Sequence, residues 1–206
     1  MITQTEELQA SVTPAQALRW LKEGNARFVE NRRLERDLLR QVEITSGGQY
    51  PFSCVLGCVD SRVSPELVFD QGIGDIFSVR IAGNFVNDDI LGSMEFACKL
   101  AGARLIVVLG HTNCGAIMGA CDDVQLGKLT GMLTNLKPAV EAVRAPAGER
   151  NSANASFVQQ VAEKNVALTV KAITRRSPVL DEMVQNGEIE IVGAMYDVAT
   201  GHVTFN

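Results

Sequence analysis

The chain has 206 residues, of which 46% are hydrophobic and 21% are charged, a composition typical of a globular domain. At this length a single domain can bury a full hydrophobic core without disulfide bonds. The net charge of -5, with no basic tract to contact phosphates, argues against a nucleic-acid partner. The apolar runs fall far short of the ~20 residues that span a bilayer, and the N-terminus lacks the pattern of a signal peptide. We therefore expect a cytoplasmic protein with no membrane partner.

The first predicted element is an N-terminal arm helix. Thr13 can cap this helix, Pro14 suits its first turn, and Gln16 completes a capping box. Hydrophobic residues at helical spacing follow. Because this helix precedes the first predicted strand, we expect residues 1–34 to form an arm that packs on the body or on a partner subunit. Residues 35–206 are then expected to form one α/β domain.

The rest of the chain alternates between predicted strands and helices. The hydrophobic patterns predict strands over residues 52–59, 76–81, 104–110, 189–196 and 203–205, and helices over residues 89–100, 114–122, 130–144, 155–174 and 178–185. Residues 145–155 have the composition of a loop. Strands separated by helices indicate a mostly parallel central β-sheet flanked by helices, with the last strand at its edge.

Two short segments that each follow an apolar strand contain residues typical of a metal site. The first contains Cys58, and the second contains His111 and Cys114. Open parallel sheets bind ligands at the carboxyl ends of their strands, so the two segments can meet at one edge. Two thiolates and an imidazole favour zinc over magnesium or calcium, which prefer oxygen ligands. Three protein ligands leave a fourth tetrahedral position open, as in a catalytic zinc site.

The cysteines and histidines also have a plainer interpretation. Cysteine is among the most buried residue types, and a lone His-x-x-Cys occurs by chance in many unrelated chains. On the residues alone, buried thiols and a satisfied histidine therefore remain an alternative to a zinc site. Cys54, Cys98 and Cys121 are expected in the core. His202 lies in the predicted terminal turn and is expected on the surface.

Asp60 and Arg62 are the second chemical feature of the first segment. Two residues apart on an extended chain, their side chains share a face and can form a charge-assisted pair. The pair is either an ion pair that only fixes the loop or a catalytic element beside an open metal. In the second case the Asp60 carboxylate accepts a hydrogen bond from a zinc-bound hydroxide, or it swings in as a fourth ligand. Arg62 opposes that closure by holding Asp60 away from the metal.

The motif Cys-x-Asp-x-Arg followed by His-x-x-Cys-Gly resembles the β-class carbonic anhydrases. The likeness runs from residue 13 to the C-terminus and includes residues 18–28, 77–84 and 191–205. The resemblance implies a carbonic anhydrase that hydrates carbon dioxide reversibly to bicarbonate and a proton, with zinc-bound hydroxide as the nucleophile. It also implies one Zn2+ per subunit and a homodimer or homotetramer with its active sites at subunit interfaces.

The same resemblance implies roles for individual residues. Cys58, His111 and Cys114 would be the zinc ligands. Asp60 and Arg62 would be the catalytic dyad, and Asp60 would be a fourth metal ligand only in a closed form.

Substrate-binding residues are also implied by the resemblance. Gly115 would offer its backbone N–H to bicarbonate. Gln49 falls where one subgroup of the family places a glutamine that reaches the substrate, and Phe77 falls on the wall of an apolar pocket in that subgroup. The alternatives are a loop glutamine and a core phenylalanine.

Two departures from the family pattern affect the expected site. An allosteric subgroup binds regulatory bicarbonate with a tryptophan three residues before the first zinc cysteine and an arginine in the second strand. This chain has Arg80 in that strand but Val55 at the tryptophan position. We therefore expect the open, non-allosteric type, with Asp60 off the metal at neutral pH. Residues 81–83 also lack an asparagine that many members carry after the arginine, which affects the expected pocket shape.

Other functions remain compatible with these residues. Carbonyl sulfide and carbon disulfide hydrolases resemble the same family and use the same ligands. A binding module with structural zinc would need a fourth protein ligand, from Cys54 or Cys121. A thiol-redox protein is disfavoured because the chain contains no Cys-x-x-Cys pair.

Overall fold

The structure, a computed structural model, describes residues 3–146 and 149–206. The described residues form a five-stranded sheet of β1 (Ser53–Gly57), β2 (Ile76–Arg80), β3 (Leu105–His111), β4 (Glu190–Tyr196) and β5 (Val203–Phe205). The order is β2-β1-β3-β4-β5, with β5 antiparallel to β4 and the other neighbours parallel. This confirms the predicted sheet and its C-terminal edge strand.

The helices lie around this sheet. They are α1 (Glu6–Ser11), α2 (Pro14–Val29), α3 (Leu38–Thr45), α4 (Pro65–Val68), α5 (Asp88–Glu95), α6 (Gly115–Cys121), α7 (Gly127–Leu133), α8 (Lys137–Ala142), α9 (Ala155–Arg176) and α10 (Pro178–Gln185). Among the described residues, none of the helices combines the length and the apolar character that crossing a membrane requires. Of the predicted loop over residues 145–155, residues 147 and 148 lie outside the described part of the chain.

Some helices differ from the prediction. The short helices α1, α3 and α4 were not predicted, because one or two turns give too little periodicity to recognise. The helix predicted over residues 89–100 ends in a π-helical turn at Phe96–Leu100. The helix predicted over residues 130–144 is α7 and α8 joined by a 3-10 turn. Pro138 lies in the first turn of α8, where its missing N–H cannot continue the preceding helix.

The strands β1 and β3, which lead to the candidate site, are buried along their whole length. Their side chains alternate between two hydrophobic clusters, because successive residues of a strand point to opposite faces. Leu56 and Val108 belong to the larger cluster, which α5, α6, α8, α9 and α10 cover. Val55 and Val107 belong to the smaller cluster, which α2 covers. The carboxyl ends of both strands are thus held between two helical layers.

The arm helix α2 packs on the body of its own chain. Its Asn25 amide donates hydrogen bonds to the carbonyls of Val68 (3.1 Å) and Gly201 (2.9 Å) and accepts one from the Val203 N–H (2.8 Å). A Cβ atom at Gly24 would lie 1.8 Å from the carbonyl oxygen of Phe69, so only glycine permits this approach. The helix therefore covers one face of the sheet within a single subunit.

Candidate metal centre

The adjacent parallel strands β1 and β3 end at the same edge of the sheet, and three candidate ligands meet there. Cys58 directly follows β1, His111 is the last residue of β3, and Cys114 is the N-cap residue of α6. All three are buried, and their sulfur and imidazole nitrogen atoms lie within 4.8 Å of one another. This agrees with the expectation that the two segments converge.

The imidazole of His111 has one nitrogen that is available to a metal ion. The ring is fully buried, and its Nδ1 lies 2.9 Å from the Thr112 carbonyl oxygen. A carbonyl only accepts hydrogen bonds, so Nδ1 carries the proton and Nε2 keeps its lone pair. Within the described residues Nε2 has no hydrogen-bond partner, which is costly for a buried polar atom. A metal ion beside the two sulfurs fits this nitrogen.

The two sulfurs lie within 4.8 Å of each other, and each thiol changes the pKa of the other. The hydrogen bond from Cys114 lowers the pKa of Cys58 to about 4, and the same contact with Cys58 raises the pKa of Cys114. The Gly83 N–H, 3.4 Å from the Cys58 sulfur, also favours the thiolate. Because metal ligation requires deprotonated cysteines, a divalent cation bound here would displace the proton that Cys114 retains.

Asp60 and Arg62 form the expected ion pair beside the cluster. The guanidinium donates from Nε to one carboxylate oxygen (2.9 Å) and from Nη2 to the other (2.8 Å). These hydrogen bonds from Arg62 hold the pKa of Asp60 well below its usual range. Nη2 also donates to the Asn113 carbonyl (3.2 Å), so Arg62 links the two segments. Asn113 itself adopts a left-handed conformation in the turn between His111 and Cys114.

Comparison with known proteins agrees with this geometry. A family model described as carbonic anhydrase matches residues 53–203, which include the whole cluster. Carbonic anhydrase 2 of Mycobacterium tuberculosis is 38% identical over 197 residues, covering 93% of this chain and 92% of that protein. The chain belongs to the β-carbonic anhydrase family. The carbonic anhydrase of Mycolicibacterium smegmatis is 36% identical over 193 residues, covering 92% of each protein.

Solved β-carbonic anhydrases have the same fold. CafA of Aspergillus fumigatus matches with a TM-score of 0.69 and 27% identity, over 93% of this chain and 89% of that one. The Coccomyxa β-carbonic anhydrase in complex with acetazolamide matches with a TM-score of 0.68 and 25% identity, over 79% of this chain and 74% of that one. The chain thus shares both the sequence pattern and the fold of the family.

Other cysteines of this β-carbonic anhydrase do not join the cluster. In the described part of the chain, the group that could hold a metal consists of Cys58, His111 and Cys114. Cys54 and Cys98 are buried in the larger core cluster, and burial raises the pKa of each thiol. A fourth cysteine ligand, which the structural-zinc interpretation requires, is therefore not found among the described residues.

The predicted substrate-binding residues lie in three different places. Gly115 begins α6, is exposed, and has open space where a side chain would be. Phe77 is half-buried on β2, where its ring packs edge-on against Phe96 at 6.0 Å. Gln49 is exposed between α3 and β1, and no hydrogen bond within the described residues connects it with the site. Their roles stay predictions.

One residue near the cluster has contacts that the sequence did not indicate. Arg80 donates from Nε to the Cys58 carbonyl (2.8 Å) and from Nη2 to the Asp60 carbonyl (2.6 Å). The sequence suggested only that Arg80 is shared with the allosteric subgroup. One feature of the sequence could have indicated these contacts. Arg80 ends a strand that pairs with β1, so its long side chain can reach the end of the neighbouring strand.

Proposed function

We propose that this β-carbonic anhydrase catalyses the reversible hydration of carbon dioxide to bicarbonate and a proton, with one zinc ion per subunit. The observation that carries the proposal is the buried cluster of two sulfurs and one unpartnered imidazole nitrogen beside an ion-paired carboxylate. Family membership independently supports the same reaction.

Cys58, His111 and Cys114 would hold the zinc. Sulfur and imidazole ligands suit zinc, and three protein ligands leave one tetrahedral position for a small molecule. Bound there, zinc would act as a Lewis acid that lowers the pKa of a water molecule to about 7 and so supplies a nucleophile near neutral pH. The residues of the chain then have to orient that nucleophile, receive the substrate and keep the fourth position open.

Asp60 would orient the nucleophile. Because its pKa is held low by Arg62, the carboxylate is ionised at neutral pH and can only accept hydrogen bonds. Accepting one from the attacking group directs the lone pair of that group towards the substrate carbon. The bidentate contact with Arg62 also holds the carboxylate away from the position of the metal.

We further propose that the site is of the open, non-allosteric type. Val55 is fully buried beneath α2 and offers no polar group to an anion. The side chain of Arg80 is already engaged by two carbonyl groups of its own subunit. Bicarbonate would therefore find neither of the two groups with which the allosteric subgroup binds it.

Substrate contacts and assembly complete the proposal. The Gly115 N–H lies in the first turn of α6, where backbone donors lack helical partners, and would bind a bicarbonate oxygen. Phe77 would provide an apolar wall for carbon dioxide.

Gln49 would act across a subunit interface of a homodimer or homotetramer. The exposed Leu38 and Leu39 on the nearby helix α3 support such an interface.

A stopped-flow assay on protein with measured zinc content tests the proposed function. Carbon dioxide hydration should rise in proportion to zinc up to one ion per chain. In the same assay, Asp60→Ala tests the proposed carboxylate, and Asp88→Ala is its matched control. Asp88 also pairs with an arginine, Arg176, at 2.8 Å, but on the surface. The hydration rate of Asp88→Ala should equal that of the wild type. Faster turnover of carbonyl sulfide or carbon disulfide than of carbon dioxide would instead indicate the hydrolase alternative.

A further inference from the structure

The segment from Cys58 to Asp60 lies beyond the end of β1, where strand pairing no longer fixes the backbone. Cys58 is buried in the larger core cluster, but the central residue, Val59, has 56% of its surface exposed, so hydrophobic packing holds only the first residue of the segment. Yet this segment carries both a candidate metal ligand and the candidate catalytic carboxylate. Some other interaction must therefore set its conformation.

Among the described residues, two groups donate hydrogen bonds to the main-chain carbonyls of this segment: the Val63 N–H, which donates to the Asp60 carbonyl (3.0 Å), and the side chain of Arg80. Arg80 is the one that reaches it from the neighbouring strand. It is the last residue of β2 and lies in register with Gly57, directly before the segment. Its guanidinium donates to the carbonyls of Cys58 (2.8 Å) and Asp60 (2.6 Å), and the next residue, Ile81, donates its N–H to the Gly57 carbonyl (3.1 Å). The consecutive residues Arg80 and Ile81 thus donate hydrogen bonds to three carbonyls, those of Gly57, Cys58 and Asp60.

The chemistry of arginine suits this task. The guanidinium is planar and always charged, and its donors diverge at fixed angles, so two bonds at once fix both distance and orientation. A lysine ammonium at the same place has one nitrogen and cannot reproduce the fork. Arg62 acts differently, because it binds the Asp60 carboxylate, whereas Arg80 binds the main chain that carries it.

We propose that Arg80 is a positioning residue of the metal centre. It holds the main chain from Cys58 to Asp60, and through it keeps the Cys58 sulfur and the Asp60 carboxylate in the arrangement described above. The expected effect of Arg80 on turnover rests on the proposed function. Its expected effect on zinc affinity does not, because that effect concerns only the Cys58 sulfur and the main chain that carries it.

The test uses Arg80→Ala and Arg80→Lys, with Arg150→Ala and Arg150→Lys as matched controls. Arg150 also bridges two backbone carbonyls, those of Val140 and Val143, but outside the metal centre. Zinc affinity is measured by competition with a chromogenic chelator. Losing both charge-assisted bonds should weaken zinc binding about tenfold in Arg80→Ala and less in Arg80→Lys, with the controls within about twofold of the wild type.

Cobalt(II) in place of zinc gives a second readout that a merely structural role would not change. The visible spectrum of the cobalt form reports ligand geometry, so it should shift in both Arg80 variants and stay unchanged in both Arg150 variants. Millimolar guanidinium chloride should restore part of the lost affinity in Arg80→Ala, whereas sodium chloride at equal ionic strength should not. If Arg80→Ala does not fold, Arg80→Lys alone decides.

An unchanged zinc affinity together with an unchanged cobalt spectrum in the folded Arg80 variants would overturn the proposal. A wild-type protein that binds zinc but hydrates no carbon dioxide would overturn the proposed function and leave this test intact. A tenfold loss of turnover at saturating zinc in Arg80→Ala, with a smaller change in KM, is the expected catalytic result.

Discussion

Asp60 and Asp70 are both held by arginines, but their surroundings differ. Asp70 binds Arg27 (2.5 Å) and Arg36 (2.6 Å), and its side chain is only 2% exposed. The carboxylate of Asp60 forms its ion pair with Arg62 at the end of the sheet, beside the candidate metal cluster, and half of the Arg62 side-chain surface is exposed. The same ion-pair chemistry therefore joins the arm to the body in one place and holds the proposed catalytic carboxylate in the other.

Hydrogen bonds from arginine lower the pKa of both carboxyls against the opposing effect of burial, but in different proportions. Burial opposes the charge of Asp70, and the hydrogen bonds from Arg27 and Arg36 outweigh it. For Asp60 the hydrogen bonds from Arg62 dominate over a smaller effect of burial. A lowered pKa alone therefore does not identify a catalytic residue. Asp60 is the candidate because it lies beside the cluster that contains the unpartnered Nε2 of His111.

The largest expected effect follows from removing a candidate metal ligand. His111→Ala should lower zinc content from one ion per chain to below about a tenth and lower turnover by more than about a hundredfold. Metal analysis and stopped-flow hydration on the same sample measure both. Cys121→Ser is the control, because Cys121 is half-buried and lies outside the cluster. Normal zinc content in His111→Ala would contradict the assignment.

The next largest effect separates Asp60 from the metal itself. Asp60→Ala should retain zinc and its thermal stability but lose turnover by about a hundredfold, because the nucleophile is no longer oriented. The stability should change little, since partly exposed ion pairs contribute about 0–1 kcal/mol. Hydration rates at equal zinc content check this. A variant as active as the wild type would remove Asp60 from the mechanism.

Asp70→Ala should show the opposite pattern. Removing the carboxylate leaves Arg27 and Arg36 without their buried partner, which costs on the order of 3 kcal/mol. Denaturant unfolding should report this loss, while turnover per folded, zinc-loaded chain stays within about twofold of the wild type. The exposed pair of Asp88 provides the comparison, since Asp88→Ala should cost less than about 1 kcal/mol. Equal losses in the two variants would mean that burial does not distinguish the pairs.

The smallest expected effect is a pH dependence of stability. The pKa of Asp70 is lower in the folded chain than in the unfolded chain, where it is about 3.9. Its stabilising contribution is therefore complete above that unfolded value and is lost as the pH falls through the folded one. Between about pH 5 and pH 2 the wild type should lose more unfolding free energy than Asp70→Asn. Parallel curves for the two proteins would show that Asp70 does not contribute to acid unfolding.

The sequence predicted the parts of the molecule that depend on local pattern. The strands β1 and β3 were recognisable as apolar runs, and the candidate ligands Cys58, His111 and Cys114 lie at their ends or within three residues of them. Parallel strands end at one edge, so the meeting of these residues could be inferred without coordinates. The Asp60–Arg62 pair depends on a spacing of two residues and was equally accessible.

Interactions between distant segments could not be predicted. Asp70 meets Arg27 across 43 residues of sequence, and neither residue belongs to a recognisable motif. The bonds from Arg80 end on carbonyl groups, which every residue has, so the sequence contains no sign of them. The proton on Nδ1 of His111 depends on the conformation of the Thr112 carbonyl, which only the folded chain defines.

A crystal structure of the zinc-loaded protein near neutral pH would test the central claim most directly. The account predicts zinc bound to Cys58, His111 and Cys114, a small non-protein ligand in the fourth position, and Asp60 still paired with Arg62. An Asp60 carboxylate bound to the zinc, or zinc located away from these three residues, would contradict it.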